Sequence, residues 1–119
     1  MAGKQTYAGG CHCGAVRFEA QADLGQTVAC NCSICQAKGL ILSAVAGDDF
    51  RLLSGQDALT DYRFNTHKIA HQFCSTCGVE PFARGAGRDG LPMLMVNVRC
   101  LDGVDLGTLS PKPFDGRKL

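Results

Sequence analysis

Eight cysteines in a chain of 119 residues are the residues with the clearest potential for chemistry. All but Cys100 fall in three short groups: C-x-C at Cys11 and Cys13, C-x-C-x-x-C at Cys30, Cys32 and Cys35, and C-x-x-C at Cys74 and Cys77. Cysteines so close in sequence are poor disulfide partners, but their thiolates can chelate one metal ion. We therefore predict metal binding rather than the disulfide framework that so many cysteines would form in a secreted chain.

One C-x-C and one C-x-x-C together supply the four thiolates of a closed, structural zinc site. We name these residues the four-cysteine cluster: Cys11, Cys13, Cys74 and Cys77. Gly14 and Gly78 follow the two pairs and are predicted to provide the positive φ that such tight turns need. A different pairing among the three groups is the alternative.

The remaining group, Cys30, Cys32 and Cys35, is named the three-cysteine cluster. Three protein ligands and one exchangeable position are typical of catalytic zinc. Such a site is suited to binding an incoming thiol and holding it as a thiolate. The alternative is a second closed site, with Cys100 or a histidine as the fourth ligand.

The composition predicts one globular domain over residues 1–119, because 45% of the residues are hydrophobic and 19% are charged. A net charge of +1 gives no indication of a nucleic-acid partner. The longest apolar run, LILSAVA, is too short to span a membrane, and the first residues do not resemble a signal peptide. We expect a cytoplasmic protein without nucleic-acid or membrane partners.

The hydrophobic pattern predicts a mostly β fold with few short helical turns. Fifteen glycines favour short strands joined by tight turns. Strands are predicted at residues 16–20, 40–46, 50–53, 60–64, 69–74 and 93–98, the second of them more fully buried than the first. Helical turns are predicted at residues 33–37 and 101–106.

Four further residues have side chains that could act together with the cysteine groups. We expect Cys100 to be a buried free thiol and His71 to be a core or edge histidine rather than an acid of the site. His67 is expected in an exposed turn. Lys38 follows Cys35 by three residues and is expected to be solvated, with attraction of an anionic thiol as the alternative.

Four segments together resemble the glutathione-dependent formaldehyde-activating enzyme family, which includes the centromere protein V-like proteins. They are GGCHCGAVRFE, CNCSICQAKG, FCSTCGVEPFARG and VNVRCLDGVDL, which span residues 9–106. The resemblance implies a small β-tent-like fold in which two zinc sites staple antiparallel sheets. It also implies that the four-cysteine cluster binds structural zinc and that the three-cysteine cluster binds catalytic zinc.

The activity implied by this resemblance is that of an S-(hydroxymethyl)glutathione synthase, a carbon–sulfur lyase. In that reaction the glutathione thiol adds to formaldehyde and gives a hemithioacetal. The expected partner is therefore a small-molecule thiol such as glutathione. The alternative is a non-catalytic zinc- or glutathione-binding module.

Overall fold

The structure is a computed structural model that describes residues 4–63, 69–87 and 89–114. These residues form ten strands and one short helix. The strands are β1 Gln5–Gly10, β2 Arg17–Ala22, β3 Val28–Cys30, β4 Leu42–Ala46, β5 Phe50–Ser54, β6 Leu59–Tyr62, β7 Ala70–Cys74, β8 Phe82–Ala86, β9 Pro92–Asn97 and β10 Lys112–Phe114, and the helix is α1 Ser33–Lys38.

The strands form two sheets, which confirms the mostly β prediction. The smaller sheet has the strand order β1-β2-β5, and the larger one has the order β10-β3-β4-β9-β8-β7-β6. All described strand pairs are antiparallel except β10 and β3, which run parallel. No described helix has the length and apolar composition needed to cross a membrane.

Three phenylalanine rings hold the two sheets together. Phe18 of β2 and Phe50 of β5 lie in the smaller sheet, and their ring centroids are 5.4 Å apart. Both contact Phe82 of β8 edge-on, at 5.7 Å from Phe18 and 4.9 Å from Phe50. Phe18 and Phe82 are fully buried, so these rings form the centre of the core between the sheets.

The predicted strands are found close to their expected positions, with one difference in burial. The strand predicted at residues 40–46 begins only at Leu42, because Gly39 ends α1 with a φ of 68° and Leu40 donates its N–H to Cys35 O at 3.0 Å. Ala44 and Ala46 are exposed, so β4 is buried mainly on one face and the prediction of fuller burial is wrong.

The helical turn predicted at residues 33–37 is confirmed by α1, whereas the one at residues 101–106 is wrong. Single 3-10 turns lie on either side of that segment, at Val98–Cys100 and Leu106–Thr108. The side chains of Asn97 and Asp105 accept backbone N–H groups and start these turns. Phe64, in the strand predicted at residues 60–64, and His67 lie outside the described residues.

Candidate metal centres

The structure brings the four-cysteine cluster together at one point. The four Sγ atoms lie within 4.8 Å of one another. The Sγ atom of Cys13 is 3.6 Å from that of Cys11 and 3.6 Å from that of Cys74. A tetrahedral zinc ion with Zn–S bonds of about 2.3 Å places its sulfurs about 3.8 Å apart, so the cluster fits this ion.

Two tight turns orient these thiols. In the first, Cys11 donates its N–H to Val16 O at 3.1 Å, and Val16 donates its own to Cys11 Sγ at 3.3 Å. In the second, Gly78 donates its N–H to Cys74 O at 2.8 Å. Gly14 has a φ of 83° and Gly78 a φ of 81°, which confirms the predicted positive φ at both glycines.

The four-cysteine cluster also joins the two sheets. Cys11 and Cys13 lie in the connection between β1 and β2 of the smaller sheet. Cys74 ends β7 of the larger sheet, and Cys77 follows it in the turn that leads to β8. A metal ion held here would therefore cross-link two sheets as well as two turns.

Hydrogen bonds give thiols of this cluster different pKa values. The N–H groups of Val79 and Cys13 donate to the Cys77 sulfur and lower its pKa to about 6. At Cys13 the N–H of Ala15 favours the thiolate, but the neighbouring thiols of Cys11 and Cys74 outweigh it and raise the pKa to about 11. Because metal ligation requires thiolates, metal binding here would release protons.

The Sγ atoms of the three-cysteine cluster also lie within 4.8 Å of one another. Cys30 ends β3, Cys32 is the N-cap of α1 and Cys35 lies inside α1. Cys32 donates its backbone N–H to Cys30 Sγ at 3.4 Å. Cys35 is buried against Leu40 and Leu42, whereas Cys30 and Cys32 are half-buried, so one side of the cluster is apolar and the other is accessible.

Burial raises the pKa of Cys30 and, more strongly, that of Cys35. Burial opposes ionisation of Cys32 as well. Hydrogen bonds from the backbone N–H of Cys35 and from the two neighbouring thiols outweigh that effect, and its pKa is lowered. Cys32 is thus the thiol of this cluster that ionises first.

No fourth metal-binding side chain joins the three-cysteine cluster among the residues that the structure describes. Cys100 lies elsewhere, with its Sγ 3.8 Å from Glu80 O and 3.5 Å from Asn97 Nδ2. Burial raises its pKa to about 11, and the charges of Cys11 and Cys77 add to this effect, which places Cys100 on the side of the four-cysteine cluster. Cys100 is therefore not grouped with the three-cysteine cluster in this structure.

Lys38 and His71 meet at Glu80, a residue that the sequence analysis did not single out. Lys38 is exposed, as expected, and its Nζ also forms an ion pair with Glu80 Oε1 at 2.8 Å. His71 is buried, as predicted, and its Nδ1 lies 2.9 Å from Glu80 Oε2. The signal that could have identified Glu80 is a lone acidic residue in the otherwise apolar segment VEPF.

Two comparisons show which known proteins the chain is similar to. The family model described as "Glutathione-dependent formaldehyde-activating enzyme" matches residues 6–113. A crystal structure of a Rhodobacter sphaeroides protein is similar to the chain, with a TM-score of 0.79 and 34% sequence identity. That alignment covers 89% of this chain and 97% of the Rhodobacter sphaeroides chain.

Proposed function

The chain belongs to the glutathione-dependent formaldehyde-activating enzyme family, and we propose from this membership that it is a zinc-dependent enzyme of the carbon–sulfur lyase type. Its substrate would be an adduct of glutathione and an aldehyde, as for an S-(hydroxymethyl)glutathione synthase. The three-cysteine cluster would be the catalytic site, and the four-cysteine cluster would hold structural zinc.

One observation carries this proposal. The three-cysteine cluster gathers three sulfurs within 4.8 Å, and the described residues supply no fourth ligand. Three protein ligands leave a coordination position for an exogenous group, which a structural site does not have. The four-cysteine cluster supplies the contrast within the same chain, because its ligand set is complete.

Zinc bound by these cysteines would provide a position at which an incoming thiol is held as a thiolate. In the proposed addition, the sulfur of glutathione forms a bond to the carbonyl carbon of formaldehyde while the C=O π bond breaks. The proton that leaves the thiol ends on the former carbonyl oxygen. No oxidant or reductant is needed, and the product is the hemithioacetal.

The chain's own residues have distinct parts in this proposal. Cys35, buried against Leu40 and Leu42, fixes one ligand on the apolar side of the cluster. Cys30 and Cys32 are half-buried, and the thiol would approach past them. The apolar wall on the Cys35 side would exclude water from that face.

Cobalt substitution tests whether the fourth position is open, because the cobalt d–d spectrum depends on the ligand set. Glutathione should change the spectrum saturably and strengthen the thiolate charge-transfer band. Cys30→Ser should abolish this response, and Cys100→Ser, the matched control, should leave it intact. A spectrum of two complete tetrathiolate sites that is indifferent to glutathione would contradict the proposal.

The second candidate is a non-catalytic zinc- or glutathione-binding module. A groove of about 460 Å³ around Ala46, Leu52 and Arg84 favours this candidate, because it has no cysteine among its described lining residues. A ligand bound there would lie away from the proposed catalytic zinc. The groove is at the end of β4 away from Leu42, the residue that pairs with Val28 of β3 near the three-cysteine cluster. Formation of the adduct above the uncatalysed rate, lost in Cys32→Ser, would exclude this candidate.

A further inference from the structure

A buried carboxylate connects the two cysteine clusters. The Glu80 side chain is 1% exposed, and its two oxygens accept from residues of different elements, Lys38 of α1 and His71 of β7. Its backbone oxygen accepts from Asn97 Nδ2 at 3.0 Å. A buried charge is tolerated only where it is paired and hydrogen-bonded, so this position is closely defined by its surroundings.

Glu80 is close in sequence to one cluster and contacts the helix of the other. It follows Cys77 by three residues, directly after the turn that holds the second half of the four-cysteine cluster. Lys38 follows Cys35 by three residues, so the two side chains lie on neighbouring positions of one face of α1. Lys38 Nζ also lies 5.0 Å from the ring centroid of Phe73, the residue before Cys74.

The helix that carries Cys35 depends on such contacts. At six residues, α1 is too short to be stable by itself. Its last turn is held from outside by the Lys38–Glu80 ion pair and by Arg99, which donates its Nε–H to Gly39 O at 2.8 Å. The ion pair is the better protected of the two, because the Glu80 carboxylate is almost completely buried.

We propose that Glu80 is a positioning residue that fixes α1 against the turn of the four-cysteine cluster and thereby sets the metal affinity of the three-cysteine cluster. The effect should be confined to the three-cysteine cluster. The four-cysteine cluster is held by hydrogen bonds within its own turns, whereas the position of Cys35 depends on α1. This inference rests on metal binding at both clusters and is independent of the proposed turnover.

Competition between the zinc-loaded protein and a chromophoric chelator tests the proposal, because it measures the zinc affinity of each cluster. Glu80→Gln keeps the size of the side chain and removes its charge. It should weaken zinc binding at the three-cysteine cluster by about tenfold or more, the usual range when a group that orients a ligand is lost. Zinc binding at the four-cysteine cluster should be unchanged.

Lys38→Met should weaken the three-cysteine cluster to a similar degree, and the double variant should be no weaker than the single variants, because all three remove the same ion pair. Lys38→Arg keeps the charge and should retain most of the affinity. Asp102→Asn is the control, since it removes an exposed ion pair with Arg17. It should leave both affinities unchanged.

Three results would overturn the proposal: unchanged affinity of the three-cysteine cluster in Lys38→Met, equal weakening of both clusters, or additive losses in the double variant. If Glu80→Gln does not fold, Lys38→Met and Lys38→Arg decide alone, because Lys38 is partly exposed and lies at the end of its helix. Failure of the cobalt protein to respond to glutathione would contradict the proposed function and leave this inference standing.

Discussion

Within each cluster the cysteines are chemically unequal, although their side chains are identical. The difference at the three-cysteine cluster comes from where each sulfur lies: Cys35 against the apolar wall, Cys32 at the start of α1 and Cys30 at the end of β3. Burial disfavours a thiolate, and backbone N–H donors favour it. The order of ionisation therefore follows from the local fold.

After mild chelation that removes metal from the three-cysteine cluster alone, Cys32 should be alkylated first by iodoacetamide. Its pKa is lowered, so its reactive thiolate is present at a lower pH than those of Cys30 and Cys35, whose pKa values are raised. Mass mapping of the alkylated peptides between pH 6 and pH 9 (chosen to bracket the ordinary thiol pKa of about 8.5) measures the order.

Raising the pH should then bring in Cys30, with Cys35 the slowest because it is buried. By the same reasoning, metal affinity at this cluster should rise with pH, since Cys30 and Cys35 must each lose a proton to bind. Cys100, with a pKa of about 11, is the internal control and should stay unmodified. Labelling of Cys35 before Cys32 would contradict the assigned environments.

Gly55 shows how one backbone position can hold the smaller sheet in place. It has a φ of 88°, and a Cβ atom on it would lie 2.3 Å from Ala15 O. Gly90 has a similar φ of 79°, but a Cβ atom there would meet no atom within 4 Å. The two glycines therefore differ in crowding and share the same backbone conformation.

Gly90→Ala should cost about 1–2 kcal/mol, the penalty for a left-handed conformation at a residue with a Cβ atom. Gly55→Ala should cost more by about 1–3 kcal/mol, because the clash is with backbone that cannot rotate away. Urea unfolding of both variants measures the difference. Equal losses of unfolding free energy would contradict the prediction, because they would mean that the segment around Ala15 shifts to relieve the clash.

Strand β3 is short and has little pairing with the strand that follows it. It has three residues, and its pairing with β4 consists of Val28 opposite Leu42. The parallel strand β10 pairs along its whole length, with Phe114 opposite Cys30. Strand β10 thus holds β3 in place, and β3 carries Cys30 of the three-cysteine cluster.

A chain that ends at Pro111, and so lacks β10, should lose metal from the three-cysteine cluster and keep it at the four-cysteine cluster. The truncation removes the hydrogen bond from Asn31 N–H to Phe114 O at 3.0 Å, next to both Cys30 and Cys32. Metal content per chain measures this loss. Phe114→Ala in the full chain keeps the backbone pairing and is the control; if it loses as much metal as the truncation, the side chain and not the strand is responsible.

At the scale of the whole molecule, the two clusters have different positions relative to the sheets. The four-cysteine cluster joins the smaller sheet to the larger one. The three-cysteine cluster lies within the β3–α1 segment of the larger sheet. Metal bound at the first cluster would therefore be part of the fold, and metal bound at the second would be separable from it.

Cys74→Ser should give an aggregated or poorly folded chain. Cys74 is fully buried, and structural zinc contributes on the order of 10 kcal/mol in small zinc-binding peptides. Cys32→Ser should lose one zinc per chain and still melt cooperatively. Circular dichroism melts and metal analysis of both variants test this difference, and a soluble, cooperatively melting Cys74→Ser protein with unchanged zinc would refute it.

The sequence by itself determined the features that depend on short stretches of chain. The spacing within each cysteine group indicates that its thiols can share an ion, and Gly14 and Gly78 follow from the tight turns that this sharing requires. Alternating residues such as Phe18 and Ala20 identified a strand through its buried face. Each of these patterns extends over a few residues, so it can be recognised without knowledge of any distant contact.

The tertiary structure decided what depends on residues far apart in the chain. Strand β10 was not predicted, since its partner β3 lies about eighty residues earlier and neither strand has a distinctive alternation. Cys100 is placed beside Glu80, twenty residues away, rather than beside Cys30. The ion pair between Lys38 and Glu80 likewise joins α1 to a residue 42 positions later in the chain. Such contacts follow from how the sheets pack, because burial of a charge selects its partner in space and leaves no periodic signal in the sequence.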